Sequence, residues 1–397
     1  MSRALIIYLS PYDILRPRTN QVSDVRFAEG FAQNQCETHL VVPFVHRADN
    51  ILKEEVLHTY GLQADLNIHY LPTQFDKDVK GIFPLLLTAW YGIRRVLTLL
   101  QQHDDTIPCY IISRSTHLLR PYFFLRKLFN KRFQQVHIIH WAHDFKTSAS
   151  YRAVYRQSDF LLATNSSILK EMLKLVRKQE REGAITLNPI TAAQAEEHIT
   201  REIARKETQL DTLKSPLVVY TGKLGKKYDR EALFILGAAK NLPEYTFLFT
   251  GGKPEVVEHW KKHCRENGMD NVIFTGYIHQ YNRIRYYQAA ADVLVSYYTS
   301  QGHDVRYNLP NKLCEYMLTG NIIVSPDYPA TRDLLNEQNC IFAAPEDTIA
   351  LTAALRTAVE NPELSDRKAL QAAKDVREIT FKKITGSLLE LFPRRES

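Results

Sequence analysis

The sequence predicts an α/β fold made of two Rossmann-like domains, each with a parallel sheet covered by helices on both faces. Short apolar runs alternate along the chain with longer helical patterns, which is typical of parallel sheets. The alternation forms two sets, separated by residues 183–191, where Gly, Asn and Pro gather. The length of 397 residues also favours two domains.

The first set has predicted strands at residues 4–9, 37–43, 109–113, 136–141 and 160–164, with helices at 22–34 and 166–182. A charged helix at 192–213 leads into the second set, with strands at 217–221, 245–250, 271–275, 292–297 and 322–325. An amphipathic pattern at 379–392 predicts a last helix. Ligands of open parallel sheets bind beyond the carboxyl ends of the strands.

Composition excludes several classes of protein. Basic residues outnumber acidic ones by 51 to 44, and the net charge of +7 fits an anionic ligand or an anionic membrane surface. No nucleic-acid-binding motif is present, so no nucleic acid partner is expected. The five cysteines are scattered without a CxxC pair, which predicts free thiols in a reducing cytosol. The first apolar run ends at Pro11, too early for a signal peptide, and reads as a buried strand.

The most informative stretch spans residues 308–325. Pro310 and Asn311 open an amphipathic helix, Lys312 lies in its first turn, and Glu315 follows one turn later. A helix N-terminus offers free N–H groups and a partial positive charge, which suit a diphosphate. A carboxylate one turn further on can accept hydrogen bonds from a ribose diol. The combination predicts a nucleotide-diphosphate ligand.

A basic glycine loop follows the predicted strand at 217–221. It contains Gly222, Lys223, Lys226 and Lys227. Glycine permits close approach of the backbone, and lysines supply mobile charges for phosphate oxygens. A solvated basic loop explains the same residues. The spacing of a P-loop is absent and no strand leads into GxGxxG, which argues against a nicotinamide or flavin enzyme.

Two further glycine turns follow the next strands of the second set. Gly251 comes after the strand at 245–250, and Tyr277 lies in a Thr-Gly-Tyr-Ile sequence after the strand at 271–275. Glycines at the ends of successive parallel strands leave room for a flat base. Each turn taken alone is better explained as an ordinary turn glycine.

Taken in order, these motifs resemble the C-terminal domain of GT-B glycosyltransferases of the family-4 type, the glycosyl transferases group 1. The motifs are G-x-L-G with lysines (222–227), Gly-Gly (251–252), F-x-G-x-[IV] (274–278), Y-Y-x-x-x-A-D-V (286–293) and L-P-x-K-L-x-E-Y-M-x-x-G (309–320). The resemblance covers nearly the whole chain. It implies two Rossmann-like domains facing a cleft, at residues 1–188 and 189–375, with residues 376–397 as a helix crossing back to the first domain.

The resemblance also implies roles for single residues. Lys223 and Lys226, with Lys227 as an alternate, would hold the diphosphate, and Glu315 would bind the ribose. The remaining residues expected to bind the donor are Gly222, Gly251, Tyr277, Asn311, Lys312 and Leu313. Many relatives carry a second glutamate eight positions before the ribose glutamate, where this chain has Tyr307 and where Asp304 is the nearest carboxylate.

In the first half, an apolar strand ends in His143 and Asp144. The family often places a histidine at this edge, beside the donor sugar; His143 fits best and His140 is second. A metal site made of these three side chains is the weaker interpretation, and no metal is expected. The loop after the first strand carries Arg16, Arg18 and Asn20, candidates for acceptor or phosphate binding, although a surface loop explains them equally well.

The helix that follows carries Asp24, Arg26 and Glu29, for which an intrahelical charge network is the default interpretation.

Residues 81–135 predict a surface for an anionic membrane. Residues 81–100 are the most apolar part, but about 13 residues precede Arg94 where about 20 are needed to span a bilayer. The segment from 114 to 135 mixes aromatic residues with the cations Arg120, Arg126, Lys127, Lys131 and Arg132 and has no acidic residue, which suits the interface of an anionic leaflet. A helix packed in the first domain with a solvated basic face is the competing interpretation.

The resemblance implies a retaining, metal-independent hexosyltransferase without a cofactor. It would move a sugar from a UDP- or GDP-sugar to a hydroxyl of a glycan or a polyprenyl- or lipid-linked acceptor, in cell-surface polysaccharide or glycolipid synthesis. The expected location is the cytoplasm, peripheral on the inner face of the membrane. Two alternatives stay open: a sugar-nucleotide epimerase of the same fold, and a non-catalytic glycan-binding partner of a transferase.

Overall fold

In the computed structural model, the chain forms two compact units: Met1–Thr191 with Thr380–Ser397, and Ala192–Ile379. The structure describes residues 2–12, 14, 19–43, 49–71, 82–103, 106–128, 136–222, 224–225, 229–300 and 304–394. The first unit is therefore built from two separate stretches of chain, and the second unit from one.

The first unit contains, over its described residues, a seven-stranded parallel sheet. Its strands are β1 Leu5–Leu9, β2 Glu37–Pro43, β3 Asn67–Leu71, β4 Cys109–Ser113, β5 Val136–Ala142, β6 Phe160–Ala163 and β7 Gly183–Ile185. They follow the order β3-β2-β1-β4-β5-β6-β7, so the strand order reverses between β1 and β4. Every residue of β1 and β4 is buried, because helices cover both faces of the sheet.

Two apolar clusters cover the two faces of this sheet. One includes Phe27 and Phe31, and the other includes Val96 and Leu119. The helices of this part of the chain are α1 Thr19–Gln33, α2 Asp49–Tyr60, α3 Ile82–Gln102, α4 Thr116–Leu128, α5 Ala149–Gln157 and α6 Ser166–Val176.

The second unit contains, where described, a six-stranded parallel sheet. Its strands are β8 Leu217–Thr221, β9 Thr246–Thr250, β10 Val272–Gly276, β11 Val293–Val295, β12 Ile322–Pro326 and β13 Ile341–Ala343. The order β10-β9-β8-β11-β12-β13 again reverses beside the first strand. Its helices are α7 Ala192–Glu196, α8 Arg201–Glu207, α9 Asp229–Asn241, α10 Pro254–Glu266, α11 Tyr281–Ala289, α12 Lys312–Leu318, α13 Thr348–Glu360 and α14 Pro362–Val376.

The last helix, α15 Phe381–Leu391, packs on α1 within the first unit. The two helices approach closely at Gly30, where an added Cβ would lie 2.8 Å from the carbonyl oxygen of Phe381. Asn34 fixes the crossing, because its Nδ2 donates to the carbonyl of Lys382 at 2.7 Å and to Thr385 Oγ1 at 3.0 Å. The C-terminal helix thus completes the core of the first unit.

The structure confirms the predicted fold class of two Rossmann-like parallel-sheet halves. It differs in detail from the predicted elements. The helix predicted at 192–213 is broken into α7 and α8, because Thr200 caps a new helix by accepting from the amide of Ile203. The helix predicted at 166–182 ends at Arg177, which has a left-handed backbone with φ of 60°. Strands β3, β7 and β13 were not predicted.

The five cysteines are buried free thiols, as predicted. Among the described residues, no helix combines the length and apolarity that a bilayer crossing requires.

Candidate functional site

Three glycines line the carboxyl edge of the second sheet. Gly222 follows β8, Gly251 follows β9, and Gly276 ends β10. The amide of Gly222 donates to the carbonyl of Thr250 at 3.1 Å, and the amide of Gly251 donates to the carbonyl of Gly276 at 2.8 Å. A Cβ on Gly251, whose φ is +116°, would lie 2.0 Å from the carbonyl oxygen of Gly222. This position therefore requires glycine, and the edge presents backbone rather than side chains.

Glu315 is held at the same edge by an amide that the sequence did not single out. Its Oε2 accepts from Nε2 of Gln288 on α11 at 2.9 Å. The same nitrogen donates to Oγ1 of Thr221, at the end of β8, at 3.3 Å. Because Gln288 is 1% exposed, its position is fixed by the core. The carboxylate predicted to bind ribose is thus placed beside the carboxyl end of β8.

Lys312 is directed toward the protein. Its Nζ donates to the carbonyl of Thr221 at 3.1 Å and lies 4.0 Å from the ring centroid of Tyr220. Burial lowers the pKa of Lys312 to about 8, while the charges of Glu231 and Glu315 act in the opposite direction. The ammonium therefore links the start of α12 to the end of β8. Its contact with oxygens of the sugar donor stays a prediction.

The other predicted donor residues are distributed around this edge. Asn311 is exposed at the start of α12, and its side chain caps no amide. Leu313 is fully buried, and its amide donates to the carbonyl of Pro310 at 3.1 Å. Tyr277, directly after Gly276, is 65% exposed. Lys223, Lys226 and Lys227 lie outside the described residues, as do Arg16 and Arg18 of the first unit.

A buried ion pair stands at the carboxyl edge of the first sheet. Arg114, directly after β4, has a side chain only 7% exposed, and its Nε lies 2.9 Å from Oδ1 of Asp24 on α1. Its Nη2 contacts Nε2 of His143, the residue that follows β5, and the guanidinium lies 4.8 Å from the ring centroid of Trp141. Asp24 also accepts from Ser10 Oγ at 2.6 Å.

These contacts correct the expected charge network on α1. Arg26 and Glu29 do form an intrahelical pair at 2.7 Å, but Asp24 does not take part in it. Asp24 lies on the same buried face of α1 as Ala28 and Phe31, which follow it by four and seven residues. A carboxylate on a buried stripe requires a cation from elsewhere, and this signal could have identified Asp24.

His143 is surrounded by groups that keep its imidazole neutral. Burial, and then the charges of Arg114 and His140, lower the pKa of His143 well below its ordinary range. His140 is itself 1% exposed and packs against Tyr155, and its burial lowers its pKa to about 4.

The remaining candidates of the first unit are peripheral to this pair. Asp144 is exposed, and Asn20 is exposed with its Nδ2 3.3 Å from the hydroxyl of Tyr12. Across the residues that the structure describes, no group of three or more His, Cys, Asp or Glu side chains has an arrangement that could hold a metal ion.

Helices α3 and α4, which contact each other, expose aromatic and basic side chains. On α3, Trp90 is 58% exposed and shares a face with Arg94 and Leu97. On α4, Phe124 is 62% exposed, and the spacings of four, seven and eight residues from Arg120 place it on one face with Lys127 and Leu128. Neither helix contains an acidic residue.

Residues 215–361, within the second unit, match the model of the family described as Glycosyl transferases group 1. The motifs at 222–227 and 309–320 lie within the matched residues. No curated protein sequence matches the chain.

Solved structures share the fold over the whole chain. A glycosyltransferase from Rickettsia africae ESF-5 is 11% identical with a TM-score of 0.71, and covers 99% of this chain and 98% of its own. HepE of Anabaena in complex with UDP and glucose is 13% identical with a TM-score of 0.66, covering 97% and 98%. Sucrose-phosphate synthase from Thermosynechococcus elongatus is 15% identical with a TM-score of 0.67, covering 98% of both chains. At these identities the likeness establishes the fold, which is of the GT-B type.

Proposed function

We propose that this protein is a glycosyltransferase that moves a sugar from a nucleotide diphosphate sugar to a hydroxyl of a glycan or lipid-linked acceptor. The observation that carries the proposal is the position of Glu315. Its carboxylate is fixed by Gln288 at the carboxyl edge of the second sheet, next to the glycine turns at Gly222 and Gly251. A carboxylate accepts from both hydroxyls of a ribose, which suits a nucleotide.

The proposed donor is a UDP- or GDP-sugar. HepE of Anabaena, which has the same fold, has been crystallised with UDP and with UDP-glucose. Tyr277, exposed after β10, offers a ring for the base. Lys223, Lys226 and Lys227 of the glycine loop, with Asn311 and Lys312 at the start of α12, supply polar groups and positive charge for the leaving diphosphate without a metal.

In this proposal His143 orients the transferred sugar, and the reaction is a hexosyl transfer of the family-4 type with retention of configuration. Arg16, Arg18, Asn20 and Asp144 are the proposed acceptor-side residues. The proposed transfer serves the synthesis of a cell-surface polysaccharide or glycolipid.

The first test is a thermal-shift panel with UDP, GDP, ADP and CMP. We expect one nucleoside diphosphate to raise the unfolding temperature, since a ligand at 100 times its Kd adds about 2.7 kcal/mol of stability. Glu315→Gln should weaken that nucleotide about 10- to 100-fold, because a charged acceptor of ribose hydroxyls is lost. The exposed Glu258→Gln is the matched control. Absence of stabilisation by every diphosphate would overturn the proposal.

Transfer itself is tested by incubating the protein with the donor, with and without a lipid-linked acceptor. Sugar transferred to the acceptor supports the transferase. An epimer that forms from the donor alone identifies the epimerase instead. Nucleotide binding that is followed by neither reaction identifies a non-catalytic partner.

We further propose that α3 and α4 dock on an anionic leaflet at the inner face of the cytoplasmic membrane. Aromatic side chains insert at the headgroup level, and each nearby cation adds about 1 kcal/mol. The observation behind this proposal is the face of α4 that carries Phe124, Leu128, Arg120 and Lys127.

Co-sedimentation with vesicles tests the docking surface. We expect binding to vesicles that contain phosphatidylglycerol, loss of binding at high salt, and weak binding to pure phosphatidylcholine. The double variant Phe124→Ala/Lys127→Gln should reduce binding at least tenfold. Leu370→Ala, which removes an apolar side chain 72% exposed on α14, is the control and should bind normally. Equal binding by both variants would contradict the proposal.

A further inference from the structure

Arg114 is fixed on three sides at the carboxyl edge of the first sheet. Its Nε pairs with Asp24 at 2.9 Å, and its planar group lies over the ring of Trp141 at 4.8 Å. Its Nη2 contacts Nε2 of His143, the nearer ring nitrogen, and lies 3.4 Å from Nδ1 of the same ring and 3.4 Å from Ser23 Oγ. Asp24 is in turn fixed by the hydroxyls of Tyr8 and Ser10, at 2.8 and 2.6 Å. The guanidinium therefore has little freedom to turn away from the imidazole.

The hydrogen-bond donors around His143 determine which of its ring nitrogens carries the hydrogen. A guanidinium only donates hydrogen bonds and keeps its proton in proteins. Nε2 of His143, the ring nitrogen nearer to the guanidinium, must therefore accept and carry no proton. A neutral imidazole then bears its single hydrogen on Nδ1.

We infer that Arg114 is a positioning residue that holds the buried, neutral ring of His143 in one tautomer, with its only N–H on Nδ1. Resting on the proposed function, the inference assigns His143 one task in the transfer, which is to donate this hydrogen bond to a sugar oxygen. The lone pair on Nε2 is occupied by Arg114, so His143 does not take the proton of the acceptor hydroxyl.

The charged and titratable groups around the ring agree with this assignment. Among the described residues, Arg114 faces it from the end of β4, Asp24 acts from α1 through Arg114, and His140 lies on β5 itself. The next residue, Asp144, is exposed. Burial and the two neighbouring bases lower the pKa of His143, which favours the neutral ring.

The test combines NMR of ¹⁵N-histidine-labelled protein with the pH dependence of kcat/KM. In the wild type we expect His143 to show the Nδ1–H tautomer without titration between pH 5 and 8. The double variant Asp24→Asn/Arg114→Met removes both charges at once, so that no buried charge is left unpaired. In it the ring of His143 should no longer hold one tautomer and should show the Nε2–H form as well, while burial, the largest cause of its lowered pKa, still disfavours protonation. Arg114→Lys, which keeps the cation, should keep the Nδ1–H form.

The activity profile provides the second readout. The wild type should show no acid limb near pH 6.5, and the double variant should lose about tenfold of kcat/KM at every pH, because the fraction of His143 that carries its proton on Nε2 cannot donate from Nδ1. A wild-type His143 that titrates near 6.5, or that carries its proton on Nε2, would overturn the inference. The expected NMR result in a protein that transfers no sugar would support the role of Arg114 and refute the proposed function alone.

Discussion

The two sheets have the same strand order but line their carboxyl edges with different chemistry. In both, the order reverses beside the first strand, between β1 and β4 and between β8 and β11. The first edge presents the buried charges of Asp24 and Arg114, while the second presents the backbone of Gly222 and Gly251. The same topology thus supplies either a fixed pair of charged side chains or main-chain turns packed closely against each other.

The contrast teaches that each edge is sensitive to a different kind of change. The edge with paired charges is destabilised when one charge loses its partner, because a buried unpaired charge costs free energy. The glycine edge is destabilised when a side chain is added to a position that only glycine fits.

The largest expected effect is at the charged edge. Asp24→Asn leaves Arg114 buried without its carboxylate, and we expect the free energy of unfolding to fall by about 3–5 kcal/mol. Urea denaturation followed by circular dichroism measures this loss. Glu258→Gln, which breaks the exposed pair with Arg265, should leave the midpoint unchanged. Equal effects of the two variants would remove the distinction between buried and exposed charge.

The glycine edge is tested by Gly251→Ala. The added Cβ would meet the Gly222 carbonyl at 2.0 Å, and we expect a loss of about 3 kcal/mol in stability together with weaker nucleotide binding. Gly268→Ala is the matched control, because φ there is also positive, at +64°, but nothing lies within 4 Å. It should cost about 1 kcal/mol. A Gly251→Ala variant as stable as this control would show that the edge is not tightly packed.

Acid sensitivity should reside in the first unit. Burial lowers the pKa of His140 in the folded protein to about 4, whereas in the unfolded chain its pKa has the ordinary value of about 6.5. Between these two pH values the unfolded chain binds a proton at His140 that the folded protein does not bind. Stability is therefore complete above pH 6.5 and is lost as pH falls toward 4. At pH 4.5 the loss from this residue should be about 2 kcal/mol. His140→Gln, compared with the wild type at pH 7 and 4.5 by urea denaturation, should show a shallower pH dependence by that amount.

The smallest expected effect concerns how the second edge holds its carboxylate. Gln288→Leu removes this hydrogen bond to Glu315, and we expect the preference for the bound nucleotide over its 2′-deoxy form to fall about fivefold, since one hydrogen bond contributes about 1 kcal/mol. Isothermal titration calorimetry of both ligands measures the ratio. Gln338→Leu, at an exposed position of the same unit, should keep the wild-type ratio. An unchanged ratio in Gln288→Leu would mean that Glu315 does not need this amide.

Most of the fold was predictable because buried parallel strands are continuous apolar runs. Strands β2, β4 and β8 have the predicted bounds. The strands that were missed lack this signal: β7 and β13 have three residues each, and β3 contains asparagine and histidine and is partly exposed.

The candidate site was predictable where a short local sequence carries it. Gly251 and Glu315 stand in motifs whose residues are neighbours in the chain. The pair of Asp24 and Arg114 could not be found in this way, because tertiary folding brings together residues from α1 and the end of β4. Gln288 could not be predicted from the sequence, because a neutral amide on a helix belongs to no motif. Its role follows from its contacts with Thr221 and Glu315.

The packing of α15 on α1 has a consequence for synthesis on the ribosome. Phe381, Leu388, Leu389 and Phe392 belong to the core of the first unit, yet they follow the whole of the second unit in the chain. At 5–20 residues per second, the intervening Ala192–Ile379 takes about 10–40 s to translate. During that time α15 has not been synthesised and cannot pack on the face of α1 around Gly30, so the second unit can finish folding before the first.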